Sequence, residues 1–217
     1  MMVPRVKICC ISSAEEALMA IRFGASAIGL VANMPSGPGV IPDELILKIS
    51  RMVPPAVSTF MLTSETSAEQ IILHHQRTLT TTIQIVDELK KGTYEQIKSS
   101  LPSIKIVQVI HVIDESAIDE AVSISNFVDA LLLDSGNPNL RIKELGGTGR
   151  VHNWNISRKI VEQSKVPVFL AGGLTPENVK QAIDQVQPFG VDLCSGVRTN
   201  QKLDPFKLEK FFSNVNK

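Results

Sequence analysis

A carboxylate at the end of an apolar run is the first group in this chain that needs a chemical explanation. Residues 128–134 read VDALLLD, so Asp134 closes a stretch expected to bury itself as a strand. Desolvation there raises a carboxyl pKa toward the range in which it donates a proton near neutral pH. A matching base sits in the opening apolar run, VKICCI over residues 6–11, where Cys9 offers a thiolate as base or nucleophile. Lys7 lies two positions earlier, and an extended chain turns both side chains the same way. A lysine buried beside Cys9 needs a counter-charge, and Asp192 in the last strand-like run is the expected partner.

Two glycine-bearing turns supply a second kind of chemistry. One is AGGL at 171–174, followed by TPEN at 175–178; the other is SGV at 195–197. Glycine lets backbone N–H groups approach an anion closely, and a short helix expected after Gly196 would add the positive end of its dipole. Gly172, Gly173, Ser195 and Gly196 are therefore read as a phosphate site. Thr175 and Pro176 also read as the cap and first turn of a helix. Segment 135–153 is long for a connection and holds Gly146, Gly147, Thr148 and Gly149, so it is expected to cover the site as a lid. No metal centre is expected, because Cys9, Cys10 and Cys194 fall short of the four ligands of structural zinc and no histidine has suitable spacing. His74 and His75 read as packing or surface residues, His111 as a rim residue, and His152 with Trp154 as packing at the end of the long loop.

The elements that must position these residues alternate throughout. Strand patterns cover 5–11, 27–32, 57–62, 81–86, 105–111, 128–134, 166–171 and 191–195. Helical patterns cover 14–23, 42–52, 67–78, 94–100, 115–126, 157–163, 176–187 and 205–215. Eight βα units in 217 residues predict an α/β fold, a compact (β/α)8 TIM barrel forming one domain over 1–217. An open doubly wound sheet alternates in the same way but seldom fits eight units into so short a chain. In a parallel barrel every strand ends at one rim, which brings Cys9, Asp134, Gly172 and Ser195 together. The chain is 43% hydrophobic, and its 22 basic residues balance 22 acidic ones. No global field therefore recruits nucleic acid or an anionic membrane, and the basic tract 198–202 is too short for nucleic acid. No apolar stretch approaches the ~20 residues of a membrane span and no leader pattern opens the chain. Three cysteines without paired spacing fit a reducing compartment, so a soluble cytoplasmic protein is expected.

Taken together, KIC at the start, AIGLV, DALLLD, GGTG, LAGGLTPENV and GVDLCSGV resemble the signatures of the phosphoribosylanthranilate isomerase family of tryptophan biosynthesis, in order and across nearly the whole chain. The resemblance implies an Amadori rearrangement, in which a ribose ring opens and a proton leaves the second sugar carbon, with no cofactor. It implies Asp134 as the acid that protonates the ring oxygen and Cys9 as the base. It places the substrate phosphate on Gly147, Gly172, Gly173, Ser195 and Gly196, and further substrate contacts on Lys7, Gln84 and Gly146. The implied partner is a small phosphorylated sugar, and the implied assembly a monomer or a homodimer. Three stretches depart from the family pattern. Cys10 stands where glycine is usual. Ser36-Gly37-Pro38-Gly39 lacks the arginine that grips the anthranilate carboxylate. Gln84-Ile85-Val86-Asp87 keeps only the glutamine of a Gln-Leu-His-Gly motif. Arg141, Lys143 and Arg150 are the candidates to replace that arginine. The competing readings are a paralogue for another phosphorylated aminosugar, a phosphosugar-binding protein without turnover, and an interaction module on an enzyme scaffold.

Overall fold

A computed structural model describes residues 3–147 and 149–216. Its eight parallel strands close in sequence order: β1 (Arg5–Ile8), β2 (Ala27–Val31), β3 (Ser58–Thr63), β4 (Thr82–Ile85), β5 (Lys105–His111), β6 (Ala130–Asp134), β7 (Val168–Leu170) and β8 (Gly190–Leu193), with β8 paired back onto β1. Outside them lie α1 (Ala14–Arg22), α2 (Asp43–Met52), α3 (Ala68–Thr78), α4 (Tyr94–Ser100), α5 (Ser116–Ile124), α6 (Trp154–Gln163), α7 (Val179–Val186) and α8 (Pro205–Val215).

The period of two along each strand divides the apolar residues into two bodies. Ile8, Leu30, Met61, Ile83, Ile110, Leu131 and Leu133 pack outward under the helices, whereas Val31, Phe60, Leu62, Val107, Val109, Leu132 and Phe169 fill the barrel interior. The outer body is the larger, and truncating one of its members, such as Leu131 to Ala, removes about 2–5 kcal/mol of stability. Helix starts are set locally: Ser13, Thr93, Asn153 and Asp204 each accept backbone N–H bonds at the first turn of α1, α4, α6 and α8.

Several boundaries differ from the sequence expectation, each for a backbone reason. β1 stops at Ile8 because Cys10 adopts φ +59°, a left-handed conformation that ends an extended run. The helix expected after Gly196 is a three-residue 3-10 turn, Ser195–Val197. It leads into an antiparallel hairpin of β9 (Arg198–Thr199) and β10 (Lys202–Leu203). Asn200 and Gln201 both have positive φ, the pair of conformations that closes a two-residue hairpin and that a helix cannot contain. Helix α6 starts at Trp154 rather than Ser157, where Asn153 caps it. Helix α7 is regular only from Val179, but Thr175 caps the turn leading into it as expected: its Oγ1 accepts from the Glu177 N–H at 3.2 Å and its carbonyl from the Val179 N–H at 3.1 Å, while the Asn178 side chain accepts from the Thr175 N–H at 2.8 Å and donates to the Gly173 carbonyl at 2.9 Å.

Candidate active site

At the C-terminal ends of the strands lies a cavity of about 720 Å³, bordered by Cys9, Asp134, Gln84, Gly146, Gly147, Gly172, Gly173 and Ser195. Eight of the ten residues expected to meet substrate thus share one space. Thr148, the third residue of the GGTG motif, lies outside the described residues.

Asp134 ends β6 directly across from His111 on β5. Only 6% exposed, its carboxyl is pushed above the ordinary aspartate range by burial; Asp192 adds to that, while His111 and the backbone N–H groups of Ser135 and Gly136 oppose it. The Gly136 N–H donates to Oδ2 at 3.1 Å, which fixes the carboxyl plane. His111 does not border the cavity: its Nε2 donates to the Val86 carbonyl at 3.0 Å. Burial likewise holds His152 down to about 4.

Cys9 follows β1, and its N–H donates to the Leu193 carbonyl at 2.8 Å, continuing the β1–β8 pairing by one residue. Gly29 on β2 makes room for it. A Cβ there would sit 2.7 Å from Cys9 Sγ and 3.0 Å from Lys7 Nζ, so thiol and ammonium meet over the same backbone atom. Lys7 is fully buried, 2.9 Å from Asp192 Oδ2 and 5.3 Å from the Phe60 ring centroid. Burial alone would depress its pKa, but Asp192 and Cys9 outweigh that and hold it above the usual lysine range. The expected ion pair is therefore present. Lys7 itself is not among the residues bordering the cavity; its fully buried Nζ lies beside Cys9 Sγ, which does border it. Asp192, read from sequence only as its partner, does border the cavity.

The two glycine turns lean on each other and on the long loop. A Cβ on Gly196 would run into the Leu174 carbonyl oxygen, so Gly196 lets the turns after β7 and β8 touch. With Ser195 it borders a neighbouring surface depression that also holds Lys207 and Lys210, while only Ser195 of the two borders the main cavity as well. Gly173 has φ +62°, and a Cβ on it would lie 2.7 Å from the Arg150 backbone. The loop crosses from the acid, where a Gly146 Cβ would be 3.4 Å from Asp134 Oδ2, to the other turn, where a Gly149 Cβ would be 3.9 Å from Ser195 Oγ. Midway it meets the loop after β2: Ser36 Oγ donates to the Lys143 carbonyl, and Pro38 packs on Gly147.

Over β2 to β6 the cavity wall is apolar, formed by Met34, Leu62, Val86, Val109, Leu132 and Leu145. Gln84 stands among them on β4, and its Oε1 is buried without a hydrogen-bond partner among the described residues. Of the candidate cations, Lys143 Nζ is paired with Asp87 and Arg150 with Glu144, while Arg141 is exposed. Sequence reasoning missed the Lys143–Asp87 pair and also Arg198, which spans Glu16 on α1 and the Cys10 carbonyl. Neither carries a local signal, since the partners are 56 and 182 residues apart. The described residues contain no cluster of three or more His, Cys, Asp or Glu able to hold a metal.

The family model described as N-(5'-phosphoribosyl)anthranilate (PRA) isomerase matches residues 6–214. N-(5'-phosphoribosyl)anthranilate isomerase 2 of Methanosarcina mazei is 39% identical over 209 residues, covering 95% of this chain and 92% of that protein. Among solved structures, phosphoribosyl anthranilate isomerase of Thermotoga maritima superposes with a TM-score of 0.80 at 29% identity, covering 98% of both chains. Another structure of such an isomerase, bound to reduced 1-(o-carboxyphenylamino)-1-deoxyribulose 5-phosphate, gives a TM-score of 0.78 at 27% identity, again over 98% of both chains.

Proposed function

This chain belongs to the N-(5'-phosphoribosyl)anthranilate isomerase family, and from that premise we propose how its residues divide the work. The protein is an aldose–ketose isomerase of tryptophan biosynthesis. Its reaction converts N-(5-phosphoribosyl)anthranilate to the corresponding 1-deoxyribulose 5-phosphate. Asp134 donates its proton to the ribose ring oxygen as the ring opens to an imine. Cys9, as thiolate, removes the proton from the second sugar carbon, and the resulting enolamine tautomerises to the aminoketose. No atom is gained or lost, so one acid and one base suffice.

The observation that carries this reading is the shared cavity: an aspartate held up by burial and a thiol beside a buried ammonium border the same space as the two glycine turns. The phosphate docks on the backbone amides around Gly147, Gly172, Gly173 and Ser195, and this remote anchor orients the sugar between acid and base. The anthranilate ring lies on the apolar wall, and the unpartnered Gln84 Oε1 accepts from a substrate N–H or hydroxyl. Lys143, paired with Asp87 and joined through its carbonyl to Ser36, which borders the cavity, takes the aromatic carboxylate. Segment 135–153 acts as the lid.

The chain is read as one working domain, acting as a monomer or in a homodimer. No helix among the described residues is long and apolar enough to cross a membrane. The three thiols are free, which suits the reducing cytoplasm. The experiment mixes purified protein with freshly made phosphoribosylanthranilate and follows loss of anthranilate fluorescence, with Cys9→Ala as control. Rapid Cys9-dependent loss is expected. A protein that binds phosphate yet leaves the fluorescence unchanged would refute this substrate and point to another phosphorylated aminosugar.

A further inference from the structure

Cys10 holds a backbone conformation that its side chain disfavours. Its φ of +59° lies in the left-handed region, which a Cβ crowds and glycine tolerates. On either side the chain is pinned to a neighbouring strand: the Cys9 N–H donates to the Leu193 carbonyl at 2.8 Å, and the Ile11 N–H to the Gly29 carbonyl at 3.0 Å. Between those two bonds, the carbonyls of residues 9 and 10 both meet one guanidinium. Arg198 Nη2 donates to the Cys10 carbonyl at 2.6 Å and reaches the Cys9 carbonyl at 3.4 Å.

That guanidinium is fixed in turn, and its side chain is only 9% exposed. Nη1 and Nη2 bind the two carboxylate oxygens of Glu16 on α1 at 2.8 and 3.0 Å, and Nη1 also donates to the Gln201 carbonyl at 2.9 Å. Lys207 Nζ donates to the Arg198 carbonyl at 2.6 Å. Glu16 accepts further backbone N–H bonds from Ser12 at 3.0 Å and Leu203 at 2.9 Å. A planar, permanently charged fork serves a carboxylate and two carbonyls in one geometry, which the point charge of an ammonium does not. Neither Arg198 nor Glu16 borders the cavity, so both reach the chemistry only through the backbone that carries Cys9.

We propose that Arg198 is a positioning residue for the isomerase, clamping the left-handed Cys10 peptide so that the Cys9 thiolate stays aimed at the second sugar carbon.

The catalytic half of this statement rests on the reading of Cys9 as the base. Cys9 Sγ packs against Gly29, with Lys7 Nζ over the same atom, so a rotation of the peptide between residues 9 and 10 carries the thiol away from both. Small displacements of a reacting group cost rate steeply. Where glycine occupies position 10, as is usual in the family pattern, the left-handed turn is unstrained and needs no clamp. Cys10 and Arg198 are then a compensating pair.

The test removes the clamp, and then the need for it. Arg198→Met is compared with wild type, together with Arg198→Met/Glu16→Gln, which leaves no buried carboxylate unpaired. Both changes are repeated in a Cys10→Gly background. The readouts are turnover of phosphoribosylanthranilate, single-turnover rates with substrate carrying hydrogen or deuterium at the second sugar carbon, affinity for inorganic phosphate, and amide hydrogen exchange. With Cys10 present, loss of the arginine should lower kcat roughly 10–100-fold and leave KM and phosphate affinity within about threefold. The slowed step should show a primary deuterium isotope effect, and exchange over residues 9–12 should quicken about tenfold or more. In the Cys10→Gly background the same loss should cost no more than about threefold in kcat and leave exchange nearly unchanged. An equal fall of kcat in both backgrounds, a slowed step insensitive to deuterium, or exchange unaltered by Arg198→Met would each overturn the proposal. Exchange does not depend on turnover: a wild type without isomerase activity would refute the substrate reading, while the exchange rates still decide whether Arg198 holds the Cys9 backbone.

Discussion

The two sides of the rim are built by different means. From β6 round to β1, the groups that meet the sugar and phosphate are fixed by strand ends and backbone turns: Asp134 by the β5–β6 register and the Gly136 N–H, Cys9 by its bond to Leu193, and Ser195 by the turn that Gly196 allows to touch Leu174. From β2 to β4, the side proposed for the aromatic half, the groups are fixed by side chains reaching between loops: Ser36 to Lys143, and Lys143 to Asp87. A backbone-built side has little freedom to change, and here the resemblance to the family pattern is interrupted only at Cys10. A side built from paired side chains can exchange its partners together, and here the Lys143–Asp87 pair is the one proposed to stand in for the arginine of the family pattern.

Perturbing each side should therefore give a different kinetic signature. Cys9→Ala on the backbone-built side should lower kcat on the order of 10³-fold with KM nearly unchanged, because the lost interaction belongs to the transition state. Lys143→Ala on the other side should raise KM about tenfold or more and leave kcat within a few fold, as expected when one charge-assisted contact is removed from ground and transition state alike. A kcat loss as large as that of Cys9→Ala would erase the distinction. Asp134 sharpens it through pH: the acid works protonated and its pKa is raised, so kcat should fall as pH rises through that value. Lys143→Ala should leave that limb in place. The smallest effect expected concerns stability. His152 is held to about 4 in the fold against an ordinary 6.5, so its neutral form favours the folded state. That contribution is present above about 6.5 and is lost as pH falls toward 4. Wild type should lose roughly 6–12 °C more of its Tm across that interval than His152→Asn, measured by calorimetry.

The same contrast explains what could be read from the sequence. The eight βα units were legible because parallel strands buried on both faces appear as short apolar runs, and the gathering of Asp134, Cys9 and the glycine turns at one rim was legible because they fall at the ends of those runs. Boundaries failed where one residue's φ decided them, as at Cys10, Asn200 and Gln201, since composition does not encode a left-handed cysteine or glutamine. The full burial of Lys7 was not legible, because alternation gives the side a residue faces but not its layer in the barrel. Lys143 appeared only as one of three candidate cations, because its partner Asp87 sits 56 residues away and a single sequence carries no trace of that contact. Cys10 was visible as a departure, but its accommodation by Gly39, where a Cβ would lie 2.5 Å from the Cys10 Cβ, belongs to the folded chain alone.

The central claim is that Asp134 supplies the proton that opens the ring while the phosphate is held elsewhere. Asp134→Asn keeps the shape of the side chain and removes the proton, so turnover of phosphoribosylanthranilate and affinity for inorganic phosphate should be measured together on that variant. The account predicts turnover lowered at least 10³-fold with phosphate affinity within about threefold of wild type; turnover at the wild-type rate would contradict it.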